Sequence, residues 1–223
     1  MLPAPGSGRM SLTAVMPGCL AALAGEESEA GLPPVDRAVG VLVDGLGSAA
    51  LRSRAGHARH LVQGWRKRDV VDVGFPTTTA ASITSLTTGV RAGEHGLVGY
   101  SALDPAHDRV LKLLSGWDAR SVPEQWQPVP TAFERATAAG VPAFVVGSSR
   151  YAGSGFSRAA LRGAVFVPAE SIADRFTATR ALIAYYDGRP RDQGARRMVG
   201  QHGSFSDEER LVPLIRAGAF ARG

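Results

Sequence analysis

Short apolar runs alternate along this chain with stretches of helical spacing. Ala38-Val39-Gly40-Val41-Leu42-Val43 is almost continuously apolar and runs into Asp44-Gly45-Leu46-Gly47, which predicts a strand buried on both faces. Residues 49–65 place Leu51, Ala55, Ala58, Leu61 and Val62 on one side of a helix. A second strand, Val70 to Val73, leads through Gly74-Phe75-Pro76 into Thr77-Thr78-Thr79, and Ala80 to Thr88 reads as a helix stopped by Gly89. Thr131 to Ala139 carries a Thr cap with Glu134 three residues on, and is closed by Gly140. Val141 to Val146 and Ala164 to Val167 are the next strands, followed by a helix over about 170–182. Strands alternating with helices predict an α/β fold, a mostly parallel sheet sandwiched by helices. Ahead of it, Pro3, Pro5, Gly6 and Gly8 mark an irregular start. Leu12 to Ala24 reads as an amphipathic helix lying against the domain rather than a secretory leader, because Pro17-Gly18 interrupts its apolar run. Gly25 to Pro34 is a polar connector. The expected organisation is an N-terminal helix and connector over 1–34 and a single α/β domain over 35–223.

Composition narrows the class. The chain has 223 residues, 44% hydrophobic and 20% charged, enough for a real core and unlike a disordered chain. Its formal net charge is +5, nearly all of the positive charge being arginine, since Lys67 and Lys112 are the only lysines. The arginines look scattered along the sequence, with Arg66-Lys67-Arg68 the longest basic run, so the expectation is no nucleic acid partner. One cysteine, Cys19, excludes an intrachain disulfide framework and a cysteine-rich zinc site. No apolar run reaches the roughly eighteen residues of a membrane span, so no membrane partner is expected and the location read from the sequence is cytoplasmic. Nothing in the sequence sets the oligomeric state.

Three places carry candidate chemistry, each at the carboxyl end of an expected strand or in a glycine-bounded loop. Asp44 follows an apolar run and precedes a glycine, so it either presents an oxygen to a metal or caps the next helix. The segment 77–89 is rich in hydroxyls. A threonine at a helix start sits beside free N–H groups and the positive end of the dipole, a setting that favours phosphate, though Thr and Ser also cap helices without doing chemistry. A threonine becomes a useful nucleophile only when a base or metal takes its proton. His202, in Gly200-Gln201-His202-Gly203, is either a ligand or an ordinary loop histidine. His57, His60 and His107 show no acidic partner at a telling spacing and are read as structural.

Taken together, VGVLVDGLG, FPTTTAASITSLTTGVRAGEHGLVGY and QHGSFSDEERLVPLI resemble the alkaline phosphatase superfamily, and within it the type I phosphodiesterase/nucleotide pyrophosphatase branch. PTAFERATAAGVPAFVVGSSRYAGSGFSRAALRGAVFV is similar to bacterial members of that branch. The resemblance covers most of 35–182 and again 198–220. It implies an alkaline phosphatase-like fold, two divalent metal ions, zinc by resemblance, and a phosphate-ester small molecule or nucleotide as substrate. It also implies that Asp44 is a metal ligand and that Thr79 is both nucleophile and metal ligand, with Thr78 the alternative in a row of three threonines. Ser82 falls where relatives carry an asparagine that holds a phosphoryl oxygen. His202 matches a late metal-binding histidine, and His95 belongs to the motif as a residue bonding its own loop.

The chain also departs from the family's pattern. Relatives carry Asp-x-x-x-His and Asp-His-Gly motifs in the region corresponding to 183–198, and no histidine occurs there. Asp187 stands as a remnant of the first motif, with Arg191 where its histidine would fall. The expected fold is therefore incomplete relative to the family, with an internal deletion near 183–198. A zinc site takes three or four protein ligands. The resemblance thus implies either a metal-dependent hydrolase acting through a threonine, or a catalytically impaired relative that binds phosphorylated ligands. The arginines at 189, 191, 196 and 197 could hold phosphate oxygens but cannot act as a Lewis acid.

Overall fold

The computed structural model describes residues 9–66, 69–184 and 211–222. A 3-10 turn, Leu12–Ala14, is capped by the Ser11 hydroxyl and leads into α1, Val15–Ala24. Pro17 falls in the first turn of α1, where no helical acceptor waits for its missing N–H, so it does not break the helix. Then come α2, Ser48–Ser53, a 3-10 turn, Ala55–His57, and α3, Arg59–Val62. The single helix expected over 49–65 is broken here. Arg54 and Ala58 leave helical geometry, Gly56 lies between them, and Gly64 adopts a positive φ.

β1, Val70–Asp72, precedes α4, Thr79–Thr88, and α5, Ala92–His95. A hairpin of β2, Ser101–Asp104, and β3, Arg109–Lys112, follows, and then α6, Pro123–Trp126, and α7, Ala132–Ala138. β4, Phe144–Gly147, and β5, Val165–Pro168, flank a 3-10 turn, Ser149–Tyr151, and α8, Gly155–Ala160. α9, Ile172–Ala184, β6, Leu211–Pro213, and a 3-10 turn, Gly218–Arg222, complete the described chain.

Among the described residues the architecture is mixed α/β with three two-stranded sheets, not the large, mostly parallel sheet expected. β4 and β5 pair in parallel, Phe144 opposite Val165; β1 and β6 pair antiparallel, Val71 opposite Val212; β2 and β3 pair antiparallel, Leu103 opposite Val110. The expected strand over 38–43 is not formed. A strand needs a neighbour for its backbone N–H and C=O groups. β1 already has β6 on one side, and on the other Asp72 N donates to Met10 O beside the Ser11 bridge. Val39, Val41, Leu42 and Val43 are consequently exposed, Val41 by 66%. Strand β4 starts at Phe144 rather than Val141, because Val141 N–H caps α7 on Ala136 O and Pro142 has no N–H.

The core lies between α4, the hairpin and α8. Ala80, Leu97, Leu111, Leu113, Phe156, Ala159 and Ala160 form it, with Trp117 and Trp126 packed edge to face at its rim. The α7 cap is the one the sequence predicts: Thr131 Oγ1 accepts from Glu134 N, and Glu134 reaches back to Thr131 N. Arg162 ties this corner together by donating to Glu134, Gln127 O, Ala159 O and Val129 O. No helix among the described residues is long and apolar enough to cross a membrane.

Helix α4 ends at Gly89, whose φ of 78° only glycine adopts without strain. A Cβ there would also lie 2.7 Å from Pro17 Cγ of α1. Gly89→Ala is therefore expected to cost about 2 kcal/mol or more in a denaturant melt. Gly93→Ala, whose Cβ would meet nothing within 4 Å, should change stability by less than about 1 kcal/mol.

Candidate active site

Five of the ten residues of α4 are β-branched and two more are serines, a poor helix sequence in isolation. Tertiary burial holds it: Ala80, Ala81, Thr84, Ser85, Thr87 and Thr88 are all buried. Its inward hydroxyls bond within the helix, Thr84 to Ala80 O at 2.8 Å, Thr87 to Ile83 O at 3.0 Å and Thr88 to Thr84 O at 2.6 Å. The Arg135 guanidinium donates twice to Thr88 O, satisfying a carbonyl at the helix's C-terminal end.

A buried imidazole fixes the same helix to the loop that follows. His95 is fully buried; its Nδ1 accepts from Leu97 N at 3.1 Å and its Nε2 lies 2.9 Å from Ser85 Oγ. Since Nδ1 accepts, the proton sits on Nε2 and is donated to Ser85. His95 is thus a structural tie within its own loop. Burial, the largest influence on it, lowers its pKa to about 4.

The opposite end of α4 carries the candidate chemistry. Thr78 is the N-cap residue and Thr79 the first helical one. Asp72 Oδ1 accepts from Gly74 N at 2.8 Å and shapes the turn leading there. Thr79 Oγ1 donates to Asp44 Oδ2 at 3.2 Å, an exposed bond joining residues 35 positions apart. Asp44 does not cap the following helix: the N-cap of α2 is Gly47, with no side-chain cap. The Thr78 hydroxyl is buried without a hydrogen-bond partner. Ser82 lies three residues after Thr79, on the same helical face. The structure therefore brings Asp44 and Thr79 together, with Ser82 one turn on. His202, Asp187 and the arginines from 189 to 197 lie outside the described residues, as does most of the interval read as a deletion.

The two oxygens of Asp44 and Thr79 fit one edge of a divalent cation's shell, both being hard donors at the surface and close enough to touch one ion. They do not complete it. Among the described residues, no group of three or more His, Cys, Asp or Glu side chains could hold a metal ion.

One histidine reading needs correction. His107 has an acidic partner: its Nδ1 lies 2.9 Å from Asp104 Oδ2 across the hairpin turn. The same oxygen accepts from Ser121 Oγ and Arg109 Nε, while Arg109 binds Asp118 with both terminal nitrogens, at 2.6 and 2.7 Å. Burial pushes the Asp104 carboxyl up, but bonds from His107, Ser121 and Arg109 outweigh it and hold its pKa below the ordinary value. Arg109 above all draws Asp118 well below the usual carboxylate range. These groups pin the hairpin; every one is satisfied by a neighbour. The Asp-x-x-His spacing across a turn was the available signal.

The N–H groups and dipole of a helix start favour an anion such as a phosphate group. Over residues 38–205 the chain matches the type I phosphodiesterase / nucleotide pyrophosphatase family, and it belongs to that family. No curated protein and no solved structure matches the chain.

The buried imidazole has a pH consequence. Unfolded, His95 takes up a proton near its ordinary value of 6.5, and folded only near about 4. Its contribution is complete above about pH 6.5 and is lost as pH falls towards 4, a difference on the order of 3 kcal/mol. His95→Gln is expected to be less stable at neutral pH but to show a flatter decline across that window in pH-dependent melts. Equal slopes in the two chains would contradict this.

Proposed function

We propose that this chain is a metal-dependent hydrolase of phosphodiester, nucleotide pyrophosphate or phosphomonoester bonds, with Thr79 as the nucleophile. The observation that carries the reading is the Thr79 to Asp44 bond at 3.2 Å, formed across 35 residues at the start of α4. Asp44 accepts the Thr79 proton and so orients the hydroxyl, leaving a lone pair free for phosphorus. The N–H groups of the first turn of α4 have no helical acceptor and face the region where a phosphoryl oxygen would sit, with the positive end of the dipole behind them. Ser82, on the same face, can donate a hydroxyl to a second phosphoryl oxygen, in the place where relatives carry an asparagine.

Attack by Thr79 Oγ1 forms a P–O bond in line with the one that breaks. It yields Thr79 esterified to phosphorus, still carrying the second ester group where the substrate is a diester, and an alcohol or nucleoside phosphate that takes up the proton Thr79 gives up; water then releases phosphate or a phosphomonoester from Thr79. A divalent cation held by Asp44 and Thr79 would supply charge that lowers the hydroxyl's pKa and neutralises phosphoryl oxygens, and the family resemblance implies His202 and Asp187 as ligands of a second cation. Thr78 is the weaker choice of nucleophile because its hydroxyl is buried.

A second reading has its own support. The interval 183–198 contains no histidine, so the ligand pairs that relatives place there are incomplete. A relative that binds phosphorylated ligands at the start of α4 without turnover would follow from this. Zinc titration by calorimetry separates the two, since two tight sites per chain would exclude the impaired reading.

For the hydrolase, release of p-nitrophenol from a phosphodiester in the presence of zinc is expected to fall at least about a thousandfold in Thr79→Ala. Thr78→Val replaces an unpartnered buried hydroxyl with a methyl group. It should keep both activity and stability, the latter within about 1 kcal/mol of the parent or above it. Activity retained in Thr79→Ala and lost in Thr78→Val would reverse the assignment.

A further inference from the structure

The structure gives the arginines a distribution that the sequence conceals. Arg109, Arg120, Arg158 and Arg162 are each paired with a carboxylate, and Arg135 and Arg216 donate to backbone carbonyls. Their charge is neutralised or engaged locally. The interval between Asp44 and Asp69 is different, because it contains no Asp or Glu at all. Within it Arg52, Arg54, Arg59 and Arg66 are exposed, as are His57 and His60. Among the described residues, none of these four guanidinium groups has a carboxylate partner. These four charges stand against a net +5 for the whole chain.

The segment is also gathered rather than strung out. It is built of three short turns, α2, the 3-10 turn and α3, separated by breaks that fold the chain back. The Arg52 guanidinium lies over the Trp65 ring at 5.4 Å, so the beginning and end of the segment are in contact, and the Arg66 backbone N–H next to that ring donates to the Asp69 carboxylate that ends the segment. Arg59 Nε donates to Gly56 O, which fixes the base of that guanidinium and leaves its terminal nitrogens free to donate outward.

We propose that this surface docks single-stranded nucleic acid, with Arg52, Arg54, Arg59 and Arg66 on the phosphate backbone. Guanidinium groups meet phosphate oxygens with two parallel hydrogen bonds, which a scattered lysine surface would not do. The stacked Arg52 and Trp65 pair offers a planar platform to a base. An acidic membrane surface would call for apolar side chains among the arginines themselves, and between residues 49 and 66 Leu61 is the lone large one strongly exposed, the exposed run Val39 to Val43 lying ahead of the segment. A duplex groove reader would need a longer helix than the six residues of α2. This surface is independent of the Thr79 reading: it concerns attachment of a polyanion, not its cleavage.

The test uses the whole chain with a chelator present, so that hydrolysis plays no part. Fluorescence anisotropy of a dye-labelled oligothymidylate is followed as salt is raised. Saturable binding at low salt is expected, with a slope of log K against log salt of about −2 to −3, as three or four phosphate contacts on a single strand require. The triple variant Arg52→Glu, Arg54→Glu, Arg59→Glu should weaken binding at least about tenfold. The triple variant Arg120→Glu, Arg150→Glu, Arg158→Glu carries the same change of net charge elsewhere and should stay within about threefold of the parent, both chains being checked for folding by circular dichroism. Equal weakening in the two variants, or no binding at low salt, would overturn the proposal. So would binding to phosphatidylserine vesicles without binding to the oligonucleotide.

Discussion

Burial of a helix that has little reason to be one is the constraint on which the rest depends. Five β-branched residues and two serines give α4 a poor intrinsic propensity, and it persists because six of its ten residues are inside the molecule. Burying hydroxyls is costly unless each finds an acceptor, and here the helix supplies acceptors from its own preceding turn. Ser85 is the exception: its oxygen accepts from His95 Nε2. Position, rather than helicity alone, is what this provides. With its middle on the core and its last carbonyl on Arg135, the helix can present its first residue to Asp44 at only one place. The Thr79 to Asp44 bond is the outer end of an arrangement decided inside.

Polar networks take an unusual share in specifying the fold. Among the largest fully buried side chains, His95 and Gln127 stand beside Leu97, Leu111 and Leu113. Gln127 is satisfied at both ends, donating to Ala159 O and accepting from Val129 N. Arg162 reaches three carbonyls and a carboxylate, and Arg109 two carboxylates and a serine. Fully satisfied groups of this kind penalise any other packing, since a shift would leave a buried donor or acceptor alone. They hold the corner of α7 and α8 and the hairpin as fixed bodies on either side of α4.

Legibility in the sequence followed the range of the forces involved. The α7 cap, the stop at Gly89 and the pair β4 and β5 were readable because local chemistry decides them: a Thr-x-x-Glu box, a glycine at positive φ, two apolar runs of strand length. The run 38–43 looked like a buried strand and is exposed, because apolar character expresses a demand for a partner and the sequence does not say whether one is adjacent. The pairing of β1 with β6 and the hairpin contacts of Asp104 depend on residues far apart or across a turn, and periodicity is silent about both. Asp44 and Thr79 were picked out by resemblance, and the structure adds what the row of three threonines could not, that the Thr78 hydroxyl is buried. His202 and Asp187 remain implied by resemblance alone. The clustering of unpaired arginine was hidden for a related reason: the sequence shows where charges are, and only the fold shows which ones are already answered.

The most direct test of the central claim, that Asp44 and Thr79 form one reactive centre at the start of α4, is to trap the covalent state. The chain would be incubated with a phosphodiester and zinc, quenched in acid, digested and mapped by mass spectrometry. A phosphoryl group on Thr79, absent when Asp44 is replaced by asparagine, is the predicted result. A phosphoryl group on Thr78, or an undiminished yield on Thr79 without the Asp44 carboxylate, would contradict it.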